Sequence, residues 1–411
     1  MNPFFKNPMV LGELRQGPLA HYLDIFASQL SAEGYGGEAG RRQLRLIGEF
    51  SWWLKKNRIQ VEQISEIQTE KFLSYVRRKR PLKSTDPAAM KRLLSILLQE
   101  RVIPVEPMTT EPNSAERVAS EFGEYLLKER GLTRSTVFHY GQFVNRFLTA
   151  RFGDGRVALS ELAQRDVVDF VRTQSKSLGH KRAKLMTSAL RSFLRFAHYK
   201  GALESELAPA VPRVIGWSLS DVPKALPVKH VAQILEVCDR GNPRGRRDFA
   251  IVLLLSRLGL RAGEVAALTL DDIDWQEGSI SICGKGGQTS KLPLPTDVGE
   301  AISEYIRNGR PQTISRSLFF TVKAPIVPLQ RQETVGHIVA RLLTRAGIDT
   351  PRKGAHQLRH TLATEMLQQG LSLEEVGELL RHHSAQSTMI YAKVDLLSLK
   401  KLALSWPGGV Q

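Results

Sequence analysis

Residues 356–391 read HQLRHTLATEMLQQGLSLEEVGELLRHHSAQSTMIY, and this stretch decides the fold. His356 and Arg359 are three positions apart, so a helix presents both side chains on one face. His382 follows, and Tyr391 stands nine residues after it. The stretch therefore predicts a helix that presents a histidine and an arginine on one face, followed by a second histidine and a tyrosine.

The residues before this stretch alternate between helix and strand. Arg247 to Leu258 is apolar enough for a buried helix, which Gly259 ends. Residues 279–283 alternate in polarity like a strand, residues 284–287 are glycine-rich like a turn, and residues 291–294 return as a second strand. The proline in that second strand indicates a sheet edge.

Two longer segments toward the amino terminus carry helical periodicity, residues 16–100 and 114–203, and proline-rich breaks follow each of them. We therefore predict a mainly α protein. Helical N-terminal domains would span residues 1–105 and 112–210. A mixed α+β domain with a small antiparallel sheet would span residues 224–405.

The two helical segments resemble each other in sequence. Gly34 aligns with Gly131 at an offset of 97, and residues 64–67 align with residues 159–162 at an offset of 95. Two interpretations remain open. Either the first segment is a duplicated copy of the second, or any two amphipathic helical bundles would align this well.

The composition favours a soluble protein with a polyanionic partner. The chain has 58 basic and 41 acidic residues among 411, a net charge of +17, and the excess is spread along the whole sequence. Only Cys238 and Cys283 are cysteines, which argues against a disulfide framework and favours a reducing cytoplasm. The sequence predicts neither a membrane span nor a signal peptide, and no membrane partner.

Five short stretches, taken in order, resemble the catalytic domain of the tyrosine recombinases, the phage integrase family. The resemblance extends over residues 226–395 and, more loosely, over 114–203 as the family's SAM-like core-binding domain. One departure concerns Arg381, because the family usually has glycine there. The five stretches are residues 259–264, 284–286, 356–360, 380–383 and 389–391.

The resemblance implies a DNA breaking and rejoining reaction without ATP, metal or cofactor. The tyrosine would attack a DNA phosphate and form a covalent 3′-phosphotyrosine, while two arginines stabilise the charge that builds on the phosphate oxygens. A histidine would take the tyrosine proton, and a hairpin lysine would protonate the leaving oxygen. The expected catalytic residues are Arg261, Lys285, His356 as the base, Arg359, His382 and Tyr391, with Glu264 in support.

Competing interpretations exist for several of these residues. Arg261 beside a glycine is also typical of a helix C-terminus, and Lys291 competes with Lys285 as the acid. His356 and His360 have zinc-ligand spacing, but no glutamate follows His356, and His360 is expected to have a packing or supporting role. The glycine-rich turn lacks the frame of a phosphate-binding P-loop.

The expected partner is double-stranded DNA, bound by several domains that self-associate into a tetrameric synapse. The extra N-terminal domain fits an integrase or transposon recombinase that mobilises a DNA element and contacts further DNA or another recombinase. A short amphipathic helix over residues 395–406 would dock on a neighbouring subunit or on its own domain. Relaxation of DNA like a type IB topoisomerase, and an idle DNA-binding regulator, are the alternatives. The expected DNA-binding residues are Arg77, Arg78, Lys79, Arg80, Lys181, Arg182, Lys184 and Arg381.

Overall fold

A computed structural model describes residues 4–5, 7–104, 114–214, 225–284, 287–350, 353–382 and 384–394. These residues form a mainly helical protein with a small antiparallel sheet, as the sequence predicted. None of the helices in these ranges combines the length and the hydrophobicity needed to cross a bilayer.

The first helical segment has a hydrophobic core of its own, built around side chains such as Phe26, Phe50 and Phe72. A short 3-10 turn at Val61–Gln63 separates its third and fourth helices. Its helices are α1 (Pro8–Leu14), α2 (Ala20–Ala32), α3 (Gly37–Lys56), α4 (Glu66–Lys79) and α5 (Thr85–Gln99).

The second helical segment repeats this order around a separate core that includes Phe122, Phe147 and Phe193. A 3-10 turn at Leu159–Glu161 again lies between the second and third of its helices, as Val61–Gln63 does between α3 and α4. The order of its four helices matches that of α2 to α5, while α1 has no counterpart, and duplication stays a prediction. Its helices are α6 (Ser114–Lys128), α7 (Arg134–Phe152), α8 (Gln164–Ser175) and α9 (His180–Tyr199).

The C-terminal region packs mainly around the apolar helix α11, whose side chains from Ala250 to Leu255 are all buried. A smaller cluster around Leu367, Val376 and Tyr391 completes it. Its helices are α10 (Val228–Glu236), α11 (Pro243–Arg257), α12 (Ala262–Ala267), α13 (Thr296–Asn308), α14 (Gln332–Arg345), α15 (His356–Gln368), α16 (Leu373–Leu379) and α17 (Ala385–Thr388), followed by a 3-10 helix at Met389–Val394.

The sheet of this region has the order β1 (Ile273–Asp274), β2 (Ser279–Cys283) and β3 (Thr289–Pro293), all antiparallel. The edge position predicted from the proline is confirmed, since Pro293 lies in the edge strand β3 opposite Ser279. The returning strand, β3, begins at Thr289 rather than at residue 291 as predicted, because Thr289 pairs with Cys283.

The chain divides into two compact units, Glu106–Ser220 and the combination of Met1–Val105 with Asp221–Gln411. Within the second of these, the backbone N–H of Ile326 donates to the carbonyl of Glu33 at 2.9 Å. Gly34 has a φ of +77°, and a Cβ there would come within 2.5 Å of the Ile326 side chain. The turn after α2 therefore contacts the C-terminal region and needs glycine for both reasons.

Candidate active site

Arg261 lies at the start of α12, where its extended backbone forms the N-cap of the helix. The carboxylate of Glu264, one turn later, accepts the Arg261 backbone N–H at 2.8 Å and its Nη1 at 2.7 Å. Arg261 thus begins a helix rather than ending one, and the supporting role predicted for Glu264 has a structural counterpart. The Arg261 side chain stays 31% exposed, so part of its guanidinium remains accessible to a ligand.

Arg359 comes from the first turn of α15 and is only 3% exposed. Its Nη1 donates to the carbonyl of Gly259 and its Nη2 to the carbonyl of Leu380. Burial, assisted by the positive charges of Arg261 and Arg381, lowers the pKa of Arg359 to about 10. The group is therefore still cationic at neutral pH, and the loops on either side hold it in place.

Glu264 also receives the third arginine, Arg381, whose Nη2 lies 3.0 Å from its Oε2. Burial alone would raise the pKa of Glu264, but the hydrogen bonds from Arg261 and the charge of Arg381 lower it below its usual value. The carboxylate is consequently ionised at neutral pH and shared between two guanidinium groups. The structure has the Arg381 side chain mostly buried on Glu264, whereas the sequence suggested a DNA contact.

Tyr391 lies in the 3-10 helix that follows α17 and is 1% exposed. Its hydroxyl is 2.8 Å from Nδ1 of His360. Burial raises the pKa of Tyr391 to about 12, although Arg359 and Arg261 act in the opposite direction. The tyrosine is therefore protonated at neutral pH in this state, and a hydrogen-bond partner for its proton is already in place.

The contact between Tyr391 and His360 was not predicted. His356, the base expected from the sequence, has its ring 6.0 Å from the ring of His360, one helical turn away on α15. The sequence signal was present, because the two histidines are four residues apart and share a helix face. Only the position of the 3-10 helix at Met389–Val394 selects which of them meets the tyrosine.

The ring of His382 also lies near Tyr391, with the two rings nearly parallel at an angle of 4° and 6.4 Å between centroids. Its Nδ1 is 2.7 Å from Oγ1 of Thr388. Burial and the nearby charges of Arg359 and Arg261 lower the pKa of His382 to about 4. The imidazole is therefore neutral at neutral pH, and a neutral ring with one nitrogen on Thr388 can offer the other to a ligand.

The structure does not place every predicted residue. Lys285 lies outside the described residues; beside it, the Gly284 N–H donates to the carbonyl of Gln288 at 2.8 Å. Lys291, the competing acid, is exposed on β3 with its Nζ 4.0 Å from Asp274. The predicted helix over residues 395–406 also lies outside the described residues.

The predicted DNA-binding side chains occupy two helices. Lys181, Arg182 and Lys184 are exposed in the first turns of α9. Arg77 and Arg78 are exposed at the end of α4, where the neighbouring residues have local partners. Those partners are the Tyr75 ring, 4.4 Å from the Lys79 Nζ, and Asp86, 2.9 Å from the Arg80 Nη1.

Comparison with known protein families agrees with this arrangement. The model of the phage integrase family matches residues 224–396, and the model of the phage integrase N-terminal SAM-like domain matches residues 119–201. The two matches fall on the region that holds the arginine, histidine and tyrosine cluster and on the second helical segment.

Two relatives and two solved structures are similar to the chain. It is 44% identical over 412 residues to y4rA of Sinorhizobium fredii (strain NBRC 101917 / NGR234), assigned as an integrase/recombinase, with 100% of each protein covered. It is 30% identical over 294 residues to the tyrosine recombinase XerA of Pyrococcus furiosus, covering 71% of this chain and 94% of that protein.

The solved structures share the fold at low sequence identity. A post-cleavage complex of the XerH site-specific recombinase with palindromic difH substrate has a TM-score of 0.55 and 19% identity over 73% of this chain and 99% of the other. A complex of the Tn1549 transposon integrase with circular intermediate DNA has a TM-score of 0.52 and 16% identity over 70% and 99%. The full-length similarity to y4rA and the match to the family's catalytic domain show that the chain belongs to the phage integrase family of tyrosine recombinases.

Proposed function

We propose that this protein is a site-specific recombinase that cuts and rejoins double-stranded DNA through a covalent 3′-phosphotyrosine at Tyr391. The observation that carries the proposal is one cluster in which Arg261, Arg359, His382 and the Tyr391 hydroxyl converge. Family membership and the solved DNA complexes of its structural relatives support the substrate class.

The proposed reaction is a transesterification. The Tyr391 oxygen attacks the phosphorus, a bond forms between them, and the bond to the 5′-oxygen of the next nucleotide breaks. Arg261 and Arg359 stabilise the charge on the non-bridging oxygens, since guanidinium forks match phosphate geometry and keep their charge. The leaving oxygen takes a proton, for which we propose Lys285. Because the phosphotyrosine keeps the energy of the broken bond, rejoining needs no nucleotide cofactor.

The proton of Tyr391 needs an acceptor, because a phenol with a pKa of about 12 is a poor nucleophile at neutral pH. We propose His360 for this role, because its Nδ1 is 2.8 Å from the hydroxyl. Proton transfer requires the tautomer with hydrogen on Nε2. The positive charges of Arg359 and Arg261 favour the phenolate that results.

At a coarser scale we propose that the protein acts as an assembly on DNA. Residues 1–105, 112–210 and 224–405 would form three domains; the first two segments each have a hydrophobic core of their own, and the C-terminal region holds two further clusters. Subunits would pair two DNA sites in a tetrameric synapse and mobilise a DNA element in the cytoplasm.

Truncation after Lys393 should leave binding to a single site intact and abolish the paired-site complex if residues 395–406 dock between subunits.

The proposal is tested with a DNA site that carries a nick beside the cleavage position, so that the cut fragment diffuses away. We expect wild-type protein to accumulate a protein–DNA adduct on a denaturing gel, in the presence of EDTA. No adduct with any site from the gene's flanking DNA would contradict the proposal. Relaxation of plasmids lacking such a site would favour topoisomerase activity instead.

A further inference from the structure

Arg381 occupies a backbone position that suits glycine. Its φ is +53°, in the left-handed region that side chains other than glycine rarely adopt. Here it closes α16, because its own N–H donates to Glu378 and the next N–H, that of His382, donates to Gly377, each at 2.9 Å. The turn alone therefore gives no reason for an arginine, and the reason must lie in the side chain.

The side chain points back into the cluster. It is 10% exposed, its Nη2 is 3.0 Å from Glu264 and its Nη1 donates to the carbonyl of Leu379 at 3.2 Å. The Nε is buried with no hydrogen-bond partner in the described part of the chain. A guanidinium that is buried this far, with one donor unused, is fixed chiefly by its ion pair with Glu264.

Glu264 links this arginine to Arg261. Its Oε1 accepts Arg261 Nη1 at 2.7 Å, while its Oε2 accepts the Arg261 backbone N–H at 2.8 Å and Arg381 Nη2 at 3.0 Å. The carboxylate is therefore held from both sides. Without Arg381, Glu264 would keep its two hydrogen bonds to Arg261 but would lose the ion pair on its other side that the described residues show.

The same turn also holds the other arginine of the cluster. The carbonyl of Leu380 accepts Arg359 Nη2, and the carbonyl of Arg381 lies 3.5 Å from Arg261 Nη2. Residues 380 and 381 thus touch both guanidinium groups through their backbone, and Arg381 reaches Glu264 through its side chain. The position of this turn sets where both cationic forks lie.

From this arrangement we propose that Arg381 is a positioning residue, which clamps Glu264 and so fixes the Arg261 guanidinium for the scissile phosphate. The inference rests on the proposed function, because it assigns Arg261 to that phosphate. It predicts that Arg381 affects the rate of cleavage through Glu264, without binding the DNA itself.

Arg381→Gly is the informative variant, because it removes the side chain with its guanidinium and glycine suits the left-handed turn. We expect the variant to fold, because glycine relieves the left-handed turn and Arg261 still pairs with Glu264, and to bind DNA with unchanged affinity. Its single-turnover cleavage at saturating DNA should fall roughly 10- to 100-fold. Arg316→Ala, which removes an exposed ion pair with Asp271, is the matched control and should cleave at the wild-type rate.

A double-mutant cycle shows whether Arg381 acts through Glu264. Glu264→Gln keeps the shape of the side chain and breaks both ion pairs, so adding Arg381→Gly to it should cause little further loss. If the rate losses of the two single variants multiply in the double variant, the proposal is overturned, and Arg381 binds a phosphate oxygen directly. A wild-type rate in Arg381→Gly would overturn it as well.

A measurement that needs no cleavage separates this inference from the proposed function. In ¹⁵N-arginine NMR of the full chain, the Arg261 guanidinium, assigned with Arg261→Lys, should give a signal protected from hydrogen exchange. We expect that protection to be lost in Arg381→Gly and kept in Arg316→Ala. If Arg381→Gly loses this protection but the wild-type protein forms no DNA adduct, the positioning role of Arg381 is supported and the proposed function is rejected. Retained protection in Arg381→Gly would reject the clamp, whatever the protein does to DNA.

Discussion

The hydroxyl of Tyr391 lies 2.8 Å from Nδ1 of His360, 31 positions away in the chain. This contact joins the predicted nucleophile to a histidine whose expected role was structural. It places a histidine ring nitrogen within hydrogen-bond distance of the tyrosine hydroxyl.

The first prediction compares the two histidines of α15. His360→Asn keeps an acceptor near Tyr391 but cannot take up the proton, so cleavage should fall roughly 10²-fold or more, the usual contribution of a positioned base. His356→Asn should reduce cleavage less if His360 is the acceptor. Single-turnover cleavage of a nicked DNA site measures both, with DNA affinity as the control. The reverse order of effects would return the role to His356.

The second prediction concerns the two arginines of the cluster. Arg261→Ala and Arg359→Ala should each slow cleavage by roughly 10²–10³, the usual effect of losing one transition-state donor. Their effects on stability should differ. Arg359→Ala leaves the buried carbonyls of Gly259 and Leu380 without this donor, at a cost of about 1–3 kcal/mol for an unsatisfied buried group.

Thermal melting and denaturant titration distinguish these two variants. Arg261 is partly exposed, so Arg261→Ala should melt close to the wild-type temperature, whereas Arg359→Ala should melt clearly lower. Equal melting temperatures for the two variants would show that Arg359 is less tightly built into the fold than its contacts indicate.

The third prediction is a pH dependence of stability that arises from His382. The pKa of His382 in the folded protein, about 4, lies below the ordinary histidine value of 6.5, so the unfolded chain takes up this proton first as the pH falls. The stability contributed by the neutral buried ring is fully present above pH 6.5 and is lost as the pH falls toward 4. His382→Asn should therefore lose less stability over this window than wild type. Parallel melting curves for the two proteins would contradict the assignment.

The fourth prediction concerns the basic surfaces on α4 and α9. Removing two phosphate contacts should weaken binding similarly on all DNA sequences and lower the slope of log affinity against log salt by about 0.9 per contact. We expect this for Arg77→Ala with Arg78→Ala, and for Lys181→Ala with Arg182→Ala. Fluorescence anisotropy over a range of salt concentrations gives the slope. A pair of substitutions that leaves the slope unchanged excludes that surface from the DNA interface.

Much of the fold was predictable because it depends on local patterns. The apolar run of α11, the glycine after it and the alternation in β2 specify their elements without help from distant residues. The resemblance to the family named Arg261, Arg359 and His382 beside Tyr391, and the structure brings these residues together; their catalytic roles stay predictions. Lys285 remains a prediction, because it lies outside the described residues.

The features of the site that the sequence did not predict depend on contacts between segments that are far apart in the chain. The pairing of Arg381 with Glu264 joins residues 117 positions apart, and a family pattern that has glycine at this turn offers no partner for an arginine. The choice of His360 over His356 depends on where the 3-10 helix at Met389–Val394 packs against α15. Neither outcome follows from periodicity or spacing.

The central claim is that Tyr391 becomes covalently joined to DNA. The most direct measurement is mass spectrometry of the adduct trapped on a nicked DNA site, after digestion of both protein and DNA. We predict a nucleotide-modified peptide that contains Tyr391, and no adduct in a Tyr391→Phe protein that still binds the site. A nucleotide on another residue, or an adduct at the wild-type level in Tyr391→Phe, would contradict the account.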